Sequence, residues 1–429
     1  MRLCVIGDPV GHSLSPLLHR RMLDRAGLTG SYETVTVTPD TLPEFLAAAR
    51  AGAWDGCNVT MPLKQAILPL LDELDPAAAA CRAVNTVCFR RGLAVGYNTD
   101  APGIRAGLLA HGADPRAGQV LIIGNGGASA AVQAVVRHEG AAQMVIVDIV
   151  EGNGAISYEE CYRSHLDAQV IINTSPVGMY PHGDAAPVDL ERFARCEAVM
   201  DVIYNPLMTR LCQQARKRGL VHVNGLEMLV AQAKQAVEHF LDKPVNDEVI
   251  DEIYRRLIAE RCNIVLIGMP SAGKTSIASL TAARCGKRYI DMDDIIVETA
   301  GRSIPEIFAE EGEEGFRQRE RDAAAQLGTA NGTIISCGGG VIKNEANMDA
   351  LRQNGVVFFI DRDLSQLIST DSNRPLSSSK EALAEMYAQR IGLYRRYADV
   401  IVDNNGDIET AAEAIAAQYA QAIHRALSE

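Results

Sequence analysis

Two glycine-rich segments of this sequence have the composition of phosphate-binding loops. Residues 268–275 read Gly-Met-Pro-Ser-Ala-Gly-Lys-Thr, and residues 124–128 read Gly-Asn-Gly-Gly-Ala. Each segment follows a short apolar run and precedes a stretch that is compatible with a helix, which is the context in which backbone N–H groups surround a phosphate. One chain therefore carries two sites for phosphorylated cofactors, which favours two enzymes fused end to end.

The loop at 268–275 predicts a nucleoside triphosphate site. In such a loop the lysine reaches the terminal phosphates and the Thr hydroxyl holds Mg²⁺. The residues expected to bind the nucleotide are Gly268, Ser271, Ala272, Gly273, Lys274, Thr275 and Ser276. The loop alone does not identify the acceptor of the phosphoryl group.

Residues that follow this loop suit an anionic acceptor with hydroxyl groups. Asp291 and Asp293 end the next apolar segment, and we expect them on one side of a strand because alternate residues face the same way. One carboxylate could serve the metal while the other takes a proton from an alcohol; alternatively, both cap a helix that starts near Asp294. Guanidinium groups bind carboxylate and phosphate, and three arginines follow in order with a glycine run: Arg317, Gly338–Gly340, Arg374 and Arg390.

Short polar side chains cluster after apolar runs in the first hundred residues. The clusters are Ser13-Leu14-Ser15, Asn58-Val59-Thr60 with Lys64, Asn85-Thr86, and Asn98-Thr99-Asp100. Together they could bind a polyhydroxylated acid, although such residues are individually more often turn formers. Lys64 and Asp100 suit a carbonyl reduction, because that reaction needs one proton donor and a neighbouring carboxylate orients an amine for the task.

The elements that must position these residues follow an α/β pattern. Short apolar runs alternate with helical patterns throughout the chain, which is typical of domains built on mostly parallel sheets. The expected strands are Leu3–Ile6, Gly56–Val59, Val120–Ile123, Met144–Val147, Val170–Ile172, Ala198–Val202, Ile264–Ile267, Thr333–Ile335 and Val356–Ile360. Helices are expected at Gly225–Leu241 and Asp247–Ala259.

Composition excludes several classes of partner. The chain has 429 residues and a net charge of −13, which argues against nucleic acid and anionic membranes because both require clustered Lys and Arg. The ten cysteines form no metal-binding box and are expected to be reduced core thiols. The chain begins with a strand pattern rather than a signal peptide, and no apolar run spans a bilayer. We therefore expect a cytoplasmic protein.

In their order, the C-terminal motifs closely resemble shikimate kinase over residues 263–425. The resemblance implies ATP as the phosphoryl donor, Asp293 as the catalytic base toward a shikimate hydroxyl, and Asp291 with Thr275 on the Mg²⁺ side. It also implies that Arg374 contacts ATP from a mobile lid, Asp371–Lys380. The implied substrate-binding residues are Asp293, Arg317, Gly338, Gly339, Gly340 and Arg390.

The N-terminal motifs resemble shikimate dehydrogenase over residues 1–245. The resemblance implies interconversion of 3-dehydroshikimate and shikimate with a nicotinamide cofactor, with Lys64 and Asp100 as the catalytic pair. The implied substrate-binding residues are Ser13, Ser15, Asn58, Thr60, Lys64, Asn85, Asp100, Tyr204 and Gln232. The helix that carries Gln232 would have to fold back onto the first domain. The expected cofactor-binding residues are Gly124, Gly126, Gly127, Ala128, Asp148, Thr174, Met179 and Gly225.

The cofactor half departs from that family in two ways. Its second strand ends Val147-Asp148-Ile149-Val150, with no basic residue before Arg163, where the family usually has arginines that hold the 2′-phosphate of NADP. A carboxylate at Asp148 can instead accept hydrogen bonds from the adenosine ribose, so NAD is expected to be preferred over NADP; alternatively, Asp148 merely opens a turn. The segment 149–166 is also too short for a full crossover helix.

We interpret the chain as a bifunctional shikimate-pathway enzyme of the α/β class, whose partners are the small molecules 3-dehydroshikimate and shikimate. One alternative is an active kinase fused to a shikimate-binding module with weak or lost redox activity, and another is a dehydrogenase that also acts on quinate. The expected domains are a substrate domain (1–102 with 225–245), a Rossmann-like nicotinamide domain (103–224), a linker helix (246–262) and a P-loop kinase domain (263–429).

Overall fold

The computed structural model describes residues 1–11, 13–367 and 380–428, and the chain divides into two compact units. Unit 1 comprises Met1–Met179, Ala185–Tyr204 and Gln214–Arg256. Unit 2 comprises Tyr180–Asp184, Asn205–Gln213 and Leu257–Glu429. The segments Tyr180–Asp184 and Asn205–Gln213 fall within the predicted nicotinamide domain (103–224) but belong to unit 2. The predicted α/β class is confirmed in both units.

The first part of unit 1 is built on a six-stranded mixed sheet with the order β2-β1-β3-β5-β6-β4. Its strands are β1 (Arg2–Gly7), β2 (Ser31–Thr36), β3 (Gly56–Val59), β4 (Glu73–Leu74), β5 (Thr86–Arg90) and β6 (Leu93–Tyr97). Its helices are α1 (Ser15–Arg25), α2 (Leu42–Ala48), α3 (Leu63–Ala66), α4 (Pro76–Cys81) and α5 (Asp100–Ala110). Of the six strands, the sequence predicted β1 and β3, whose residues are largely apolar and buried.

Strand direction in this sheet determines where its polar loops meet. β5 runs antiparallel to both β3 and β6, so β3 and β6 run in the same direction and β5 begins where they end. β1 is parallel to β3. One edge of the sheet therefore contains the carboxyl ends of β1, β3 and β6 together with the start of β5. Each of the four polar clusters lies at this edge, because three of them come after β1, β3 and β6 in the chain and the fourth lies at the start of β5.

The second part of unit 1 is a parallel sheet with the order β12-β11-β10-β7-β8-β9. Its strands are β7 (Gln119–Ile123), β8 (Gln143–Val147), β9 (Ala155–Ile156), β10 (Val170–Asn173), β11 (Ala198–Asp201) and β12 (Val221–Val223). The helices that follow in the chain are α6 (Gly127–Glu139), α7 (Tyr158–Ser164), α8 (Arg210–Lys217), α9 (Gly225–Leu241) and α10 (Glu248–Arg261). The connection from β8 to β9 contains no helix, and the segment 149–166 holds the two-residue β9 and the seven-residue α7.

Unit 2 is built on a five-stranded parallel sheet with the order β14-β15-β13-β16-β17. Its strands are β13 (Asn263–Ile267), β14 (Arg288–Asp291), β15 (Thr333–Ser336), β16 (Gly355–Asp361) and β17 (Val400–Asp403). Its helices are α11 (Lys274–Cys285), α12 (Met292–Ala300), α13 (Ile304–Gly328), α14 (Glu345–Arg352), α15 (Lys380–Tyr397) and α16 (Ile408–Ser428). The residues of β13 are all buried at the centre of this sheet, so the loop at 268–273 rests on a rigid base.

Two features of composition can be compared with the structure. All ten cysteines are free thiols and nine of them are buried, as the sequence predicted. Among the residues that the structure describes, no helix is long and apolar enough to cross a membrane.

The segment Asn205–Gln213 is part of the hydrogen-bonded core of unit 2. Leu207 is 1% exposed, and its backbone N–H donates to Asn354 Oδ1 at 2.9 Å. The backbone N–H of Met208 donates to the carbonyl oxygen of Gln353 at 2.9 Å. These contacts lie at the loop between α14 and β16, so residues that precede 257 in the chain help to order one corner of the unit 2 sheet.

We therefore predict that Leu207→Ala destabilises unit 2 by about 2–5 kcal/mol, because it empties a buried site. Hydrogen–deuterium exchange should show faster exchange of the β13 and β16 amides. Leu364→Ala serves as the matched control, because Leu364 belongs to the same unit and is 38% exposed. Equal exchange rates in the two variants would contradict the assignment of Asn205–Gln213 to the core of unit 2.

Candidate functional site

Lys64 and Asp100 form a close ion pair at the polar edge of the mixed sheet. Lys64 Nζ donates to Asp100 Oδ2 at 2.6 Å. Lys64 lies on α3, just after β3, while Asp100 is the first residue of α5, just after β6. The Lys64 side chain keeps 18% of its surface exposed, whereas that of Asp100 keeps 2%. The amine therefore stands between a buried carboxylate and open space, and we call this place the Lys–Asp site.

Asn85 ties the buried carboxylate to the rest of the sheet edge. Asn85 Nδ2 donates to Asp100 Oδ1 at 2.9 Å, and Asn85 Oδ1 accepts from the backbone N–H of Thr99 at 2.9 Å. Asn98 Oδ1 accepts from the backbone N–H of Asp100 at 3.1 Å and so caps the start of α5. Both oxygens of Asp100 are thus supplied with donors, as a buried charge requires.

Helix α9 contributes Gln232 to the same site. Gln232 Oε1 accepts from Asn85 Nδ2 at 3.1 Å, although the two residues are far apart in sequence. The predicted return of this helix to the first part of the chain is confirmed. The same helix begins at Gly225, where any side chain would collide with the backbone of Val202.

Asn58 extends this network toward β2. Asn58 Nδ2 donates to Thr86 Oγ1 at 3.0 Å, and Asn58 Oδ1 accepts from the hydroxyl of Tyr32 at 2.7 Å. The ring of Tyr32 stacks on His19, whose Nδ1 donates to the backbone carbonyl oxygen of Ser15 at 2.9 Å. Ser13 Oγ accepts from the backbone N–H of Ser15 at 3.2 Å.

The structure thus joins five of the nine predicted substrate-binding residues in one hydrogen-bonded network: Asn58, Lys64, Asn85, Asp100 and Gln232. Ser13 and Ser15 hydrogen-bond to each other outside that network. Thr60 follows β3, and its side chain packs against Gly7 at the end of β1. Tyr204 lies three residues after β11 and is half-buried. The roles of all nine residues stay predictions.

The glycine-rich loop after β7 lies where two neighbouring parallel strands end. The chain leaves β7 toward β8 on one side, while β10 lies on the other side, and ligands of open α/β sheets bind at such a switch point. Thr174 Oγ1 donates to the carbonyl oxygen of Ile123 at 2.7 Å and so holds the two strand ends together. Gly124 has a φ of 96° and approaches Thr174 closely, which favours glycine at this position.

The start of α6 leaves room for a phosphate group. A Cβ added at Gly126, the N-cap of α6, would meet no atom within 4 Å, so there is open space beside the start of this helix. Gly127 and Ala128 form the first turn of this helix. Met179, in the loop after β10, is 40% exposed. These features fit a dinucleotide whose phosphates lie at the helix and whose nicotinamide lies toward the Lys–Asp site.

Asp148 is half-buried at the carboxyl end of β8, where an adenosine ribose would lie. Asp148 Oδ1 accepts from the backbone N–H of Val150 at 3.1 Å and so also forms a turn. Burial, helped by the charge of Asp148, raises the pKa of Tyr158 to about 12. Arg163, the next basic residue in the chain, forms ion pairs with Glu159 and Glu160 at 2.8 and 3.0 Å.

Unit 2 contains a cavity of about 340 Å³ that gathers most of the predicted kinase residues. Those that line it are Ser271, Gly273, Lys274, Thr275, Ser276, Asp291, Asp293, Arg317, Gly338, Gly339, Gly340 and Arg390. Gly268 and Ala272 belong to the same loop but do not line the cavity. Arg374 and the predicted lid segment before Lys380 lie outside the described residues.

Lys274 and Thr275 open helix α11 at the floor of this cavity. Lys274 Nζ donates to the carbonyl oxygens of Gly268 and Met269 at 3.0 and 2.9 Å, so the amine is held beside the loop that surrounds it. Thr275 Oγ1 donates to Asp291 Oδ2 at 3.1 Å. A hydroxyl and a carboxylate are oxygen ligands of the kind that Mg²⁺ takes from a protein alongside phosphates and water, so the pair fits this ion.

The two aspartates do not share a face of a strand, so that expectation is wrong. β14 ends at Asp291, and Asp293 lies in the first turn of α12, where its backbone N–H donates to Asp291 Oδ1 at 3.0 Å. The chain turns because Asp291 caps the helix, which begins at Met292 rather than near Asp294. Both carboxylates still reach the cavity, and Asp293 Oδ1 lies close to the α-carbon of Gly338.

Arg317 is positioned by a buried carboxylate that the sequence did not single out. Arg317 Nη1 donates to Glu320 Oε2 at 2.9 Å, and Glu320 is 2% exposed. Burial raises the pKa of Glu320 above its usual value, while the charge of Arg317 works in the opposite direction. A side chain at Gly340 would collide with the guanidinium of Arg317, so this glycine leaves space for it.

Arg390 and Tyr394 hold the glycine run from the other side. Arg390 Nη1 and the hydroxyl of Tyr394 both donate to the carbonyl oxygen of Gly339, at 2.9 and 2.6 Å. Tyr394 is fully buried and stacks on Phe359 at 5.2 Å. The spacing of Arg390 and Tyr394, one helical turn apart, is the sequence signal for this pair. No comparable spacing signal marks Glu320, because three-residue separations between charged residues are common in helices.

Comparisons with known proteins agree with these two sites. A family model described as shikimate dehydrogenase substrate binding domain matches residues 5–87, and one described as shikimate kinase matches residues 270–424. The chain is similar to a curated protein from an Exiguobacterium species named shikimate dehydrogenase (NADP(+)). The two are 39% identical over 270 residues, which cover 61% of this chain and 100% of that protein.

Two solved structures show the same fold over the first part of the chain. One is shikimate 5-dehydrogenase from Thermus thermophilus in complex with NADP(H) and shikimate, with 34% identity, a TM-score of 0.54 and coverage of 60% of this chain and 99% of that one. The other is quinate dehydrogenase from Corynebacterium glutamicum in complex with NAD, with 26% identity, a TM-score of 0.53 and coverage of 59% and 98%.

Proposed function

This chain belongs to the shikimate dehydrogenase family and carries a shikimate kinase domain, and on that basis we propose that one polypeptide reduces 3-dehydroshikimate to shikimate and then phosphorylates shikimate. The observation that carries the proposal is the presence of two separate sites, one in each unit. The Lys–Asp site lies in unit 1 beside a dinucleotide loop, and the P-loop cavity of unit 2 combines two aspartates with two arginines.

In the first reaction, Lys64 is proposed to supply the proton. A bound nicotinamide cofactor supplies the hydride to the carbonyl carbon when 3-dehydroshikimate is reduced. The carbonyl oxygen then needs one proton, which Lys64 Nζ is placed to donate because Asp100 holds the amine at 2.6 Å. In the oxidation of shikimate the same amine accepts the hydroxyl proton. Asn58, Asn85 and Gln232 are proposed to hold the hydroxyl and carboxylate groups of the substrate.

We predict that Lys64→Ala lowers kcat/KM for shikimate oxidation by roughly 10²–10⁴-fold, the usual effect of removing a positioned proton-transfer group. Kinase activity should be unchanged, because the P-loop cavity lies in the other unit. Both rates can be measured on one preparation, by nicotinamide absorbance and by ADP release. Lys243→Ala is the control, since Lys243 is exposed in the same unit. Full oxidation activity in Lys64→Ala would refute the assignment.

In the second reaction, Asp293 is proposed to accept the proton of the attacking shikimate hydroxyl. Lys274 and the backbone of the P-loop are proposed to hold the ATP phosphates, and Thr275 with Asp291 to hold Mg²⁺, which neutralises phosphate charge when bound. Arg317 and Arg390 are proposed to bind the shikimate carboxylate. The placement of Asp293 beside Gly338 supports this arrangement, since that glycine lets a substrate hydroxyl approach the carboxylate.

We predict that Asp293→Asn lowers the rate of phosphoryl transfer by roughly 10²–10⁴-fold and leaves ATP affinity nearly unchanged, because it removes the proton acceptor and not the phosphate-binding loop. Lys274→Met should weaken both ATP binding and turnover. Asp294→Asn is the matched control, because Asp294 is the adjacent exposed carboxylate. Steady-state kinetics with calorimetric titration of ATP separate the outcomes. Near wild-type turnover in Asp293→Asn would exclude it as the base.

The cofactor preferred by the dehydrogenase is proposed to be NAD. Similar proteins differ in this respect, since the Exiguobacterium protein is named for NADP(+) and the Corynebacterium structure contains NAD. Here the residue at the end of β8 is Asp148, and Arg163 is engaged by two glutamates. NADP would bring a phosphate of about −1.5 to −2 charges beside the Asp148 carboxylate.

We predict that the wild-type chain uses NAD with a kcat/KM roughly ten to several hundred times that for NADP, because like charges about 4 Å apart repel by about 1–4 kcal/mol. Asp148→Ala should remove most of this preference. Glu151→Ala is the control, since Glu151 is a nearby exposed acid. Fluorescence titration of both reduced cofactors tests binding separately from turnover. A wild-type preference for NADP, or unchanged selectivity in Asp148→Ala, would contradict the assignment.

A second candidate activity is the oxidation of quinate, which is favoured by the similarity to the Corynebacterium quinate dehydrogenase. A third is loss of redox activity in unit 1, for which the missing crossover helix between β8 and β9 is the supporting observation. Nicotinamide absorbance with shikimate and quinate, each with NAD and NADP, separates these cases. Turnover of quinate supports the second candidate, and no turnover with any pair supports the third.

A further inference from the structure

Tyr32 is a buried residue of β2 whose hydroxyl contacts a residue that is proposed to bind substrate. It donates to Asn58 Oδ1 at 2.7 Å. Only 5% of Tyr32 is exposed. Asn58 belongs to β3, so Tyr32 supports this residue from the buried side of the sheet edge.

The neighbours of Asn58 determine which way its amide points. Asn58 Nδ2 lies 3.3 Å from the backbone carbonyl oxygen of Asn85, and a carbonyl oxygen can only accept a hydrogen bond. The amide nitrogen must therefore face Asn85, and Oδ1 must face Tyr32. It follows that the Tyr32 hydroxyl is the donor in its contact with Asn58.

The same reasoning assigns each hydrogen between Asn58 and Asp100. Asn85 Nδ2 faces Asp100 Oδ1 at 2.9 Å, and an ionised carboxylate can only accept. Asn85 Oδ1 then accepts from the Thr86 hydroxyl at 3.1 Å, which leaves Thr86 Oγ1 to accept from Asn58 Nδ2 at 3.0 Å. In every hydrogen bond of this chain the donor lies on the Tyr32 side and the acceptor on the Asp100 side. Tyr32 is the first donor, and the Asp100 carboxylate is the last acceptor.

His19 holds the ring of Tyr32 in the position from which it donates. The two rings stack with centroids 4.3 Å apart and an interplanar angle of 18°. Burial lowers the pKa of His19 to about 4, so its ring is neutral at pH 7, and its Nδ1 donates to the carbonyl oxygen of Ser15 at 2.9 Å. Burial also keeps the pKa of Tyr32 well above its usual value, so the hydroxyl retains its hydrogen.

We propose that Tyr32 is a positioning residue for the dehydrogenase: its hydroxyl holds the oxygen of the Asn58 amide in the place that substrate binding requires. The inference rests on the proposed function, because it requires Asn58 to contact the substrate. Without the Tyr32 hydroxyl, Asn58 Oδ1 loses this donor, and the amide is held through its nitrogen by Asn85 and Thr86, so its position is less well fixed.

Proton transfer should not depend on Tyr32. Asn85 Oδ1 also accepts from the backbone N–H of Thr99 at 2.9 Å, so Asn85 keeps its orientation if Thr86 turns toward Asn58. The ion pair of the Lys–Asp site then stays in place. Tyr32 should therefore act on the affinity for shikimate and not on the chemical step.

The test is Tyr32→Phe in the full-length chain, which keeps the stacked ring and removes only the hydroxyl. The KM for shikimate oxidation should rise about ten-fold, as expected when a polar group loses a hydrogen bond from a well-placed donor. The kcat should change by less than about two-fold, and the pH dependence of kcat should not move. Tyr97→Phe is the matched control, because the Tyr97 ring stacks on His239 with centroids 3.9 Å apart; both constants should stay at wild-type values.

A double-mutant cycle tests whether Tyr32 acts through Asn58. If it does, adding Tyr32→Phe to Asn58→Ala should raise KM by less than about two-fold beyond Asn58→Ala alone. Additive effects of the two substitutions would overturn the proposal. Circular dichroism and thermal melting report on the folding of each variant, and the kinase KM for shikimate should be the same in every variant because the P-loop cavity lies in the other unit.

An unchanged KM in Tyr32→Phe overturns the proposal, and so does a fall in kcat as large as the rise in KM. If Tyr32→Phe fails to fold by circular dichroism, Thr86→Val replaces it as the test, because it removes the next hydroxyl that holds Asn58 at nearly constant volume. An unchanged KM in that variant overturns the proposal as well. Failure of the wild-type chain to oxidise shikimate with either cofactor would instead refute the proposed function.

Discussion

A carboxylate buried at the edge of the mixed sheet is the constraint on which the arrangement of unit 1 depends. Asp100 is 1% exposed, and a charge in that position is strongly destabilising unless it is paired and hydrogen-bonded. Lys64 and Asn85 provide the partners, at 2.6 and 2.9 Å. They can do so only because β5 is reversed relative to β3 and β6, which brings three loops to one edge. The pairing that stabilises the charge also places an amine where a carbonyl oxygen can reach it.

The same arrangement recurs in the P-loop cavity, again with a carboxylate as the buried partner. There the cation that lines the cavity is Arg317, and its buried partner is Glu320. Glycines at 338 and 340 remove side chains from the two places where Asp293 and Arg317 approach the backbone. The glycines therefore allow these charged groups to come close to the backbone. Hydrogen bonds from Arg390 and Tyr394 to Gly339 hold the glycine run in place.

The second sheet of unit 1 shows what can be shortened in a parallel sheet while its central strand order is kept. β9 has two residues and follows β8 through a connection with no helix, yet the strand order around β7, β8 and β10 is that of a dinucleotide-binding sheet. The ends of β7 and β10 are held together by the hydrogen bond from Thr174 to Ile123. The shortened segment instead changes the residues after β8, where Asp148 lies beside the exposed Ile149 and Val150.

The sequence by itself determined the α/β class, the buried central strands and most of the site residues, because apolar runs and loop motifs depend on neighbours along the chain. It missed β2, in which Tyr32 is the one buried residue. It also placed Asp293 on a strand, which is wrong because Asp291 caps α12 and so ends the strand before Asp293. Only the tertiary structure decided that Tyr32, Thr86 and Glu320 hold the site residues, and that Asn205–Gln213 belongs to unit 2. The physical reason is that these contacts join residues brought together by strand order and helix packing, and a hydrogen bond between such residues leaves no periodic signal in the sequence.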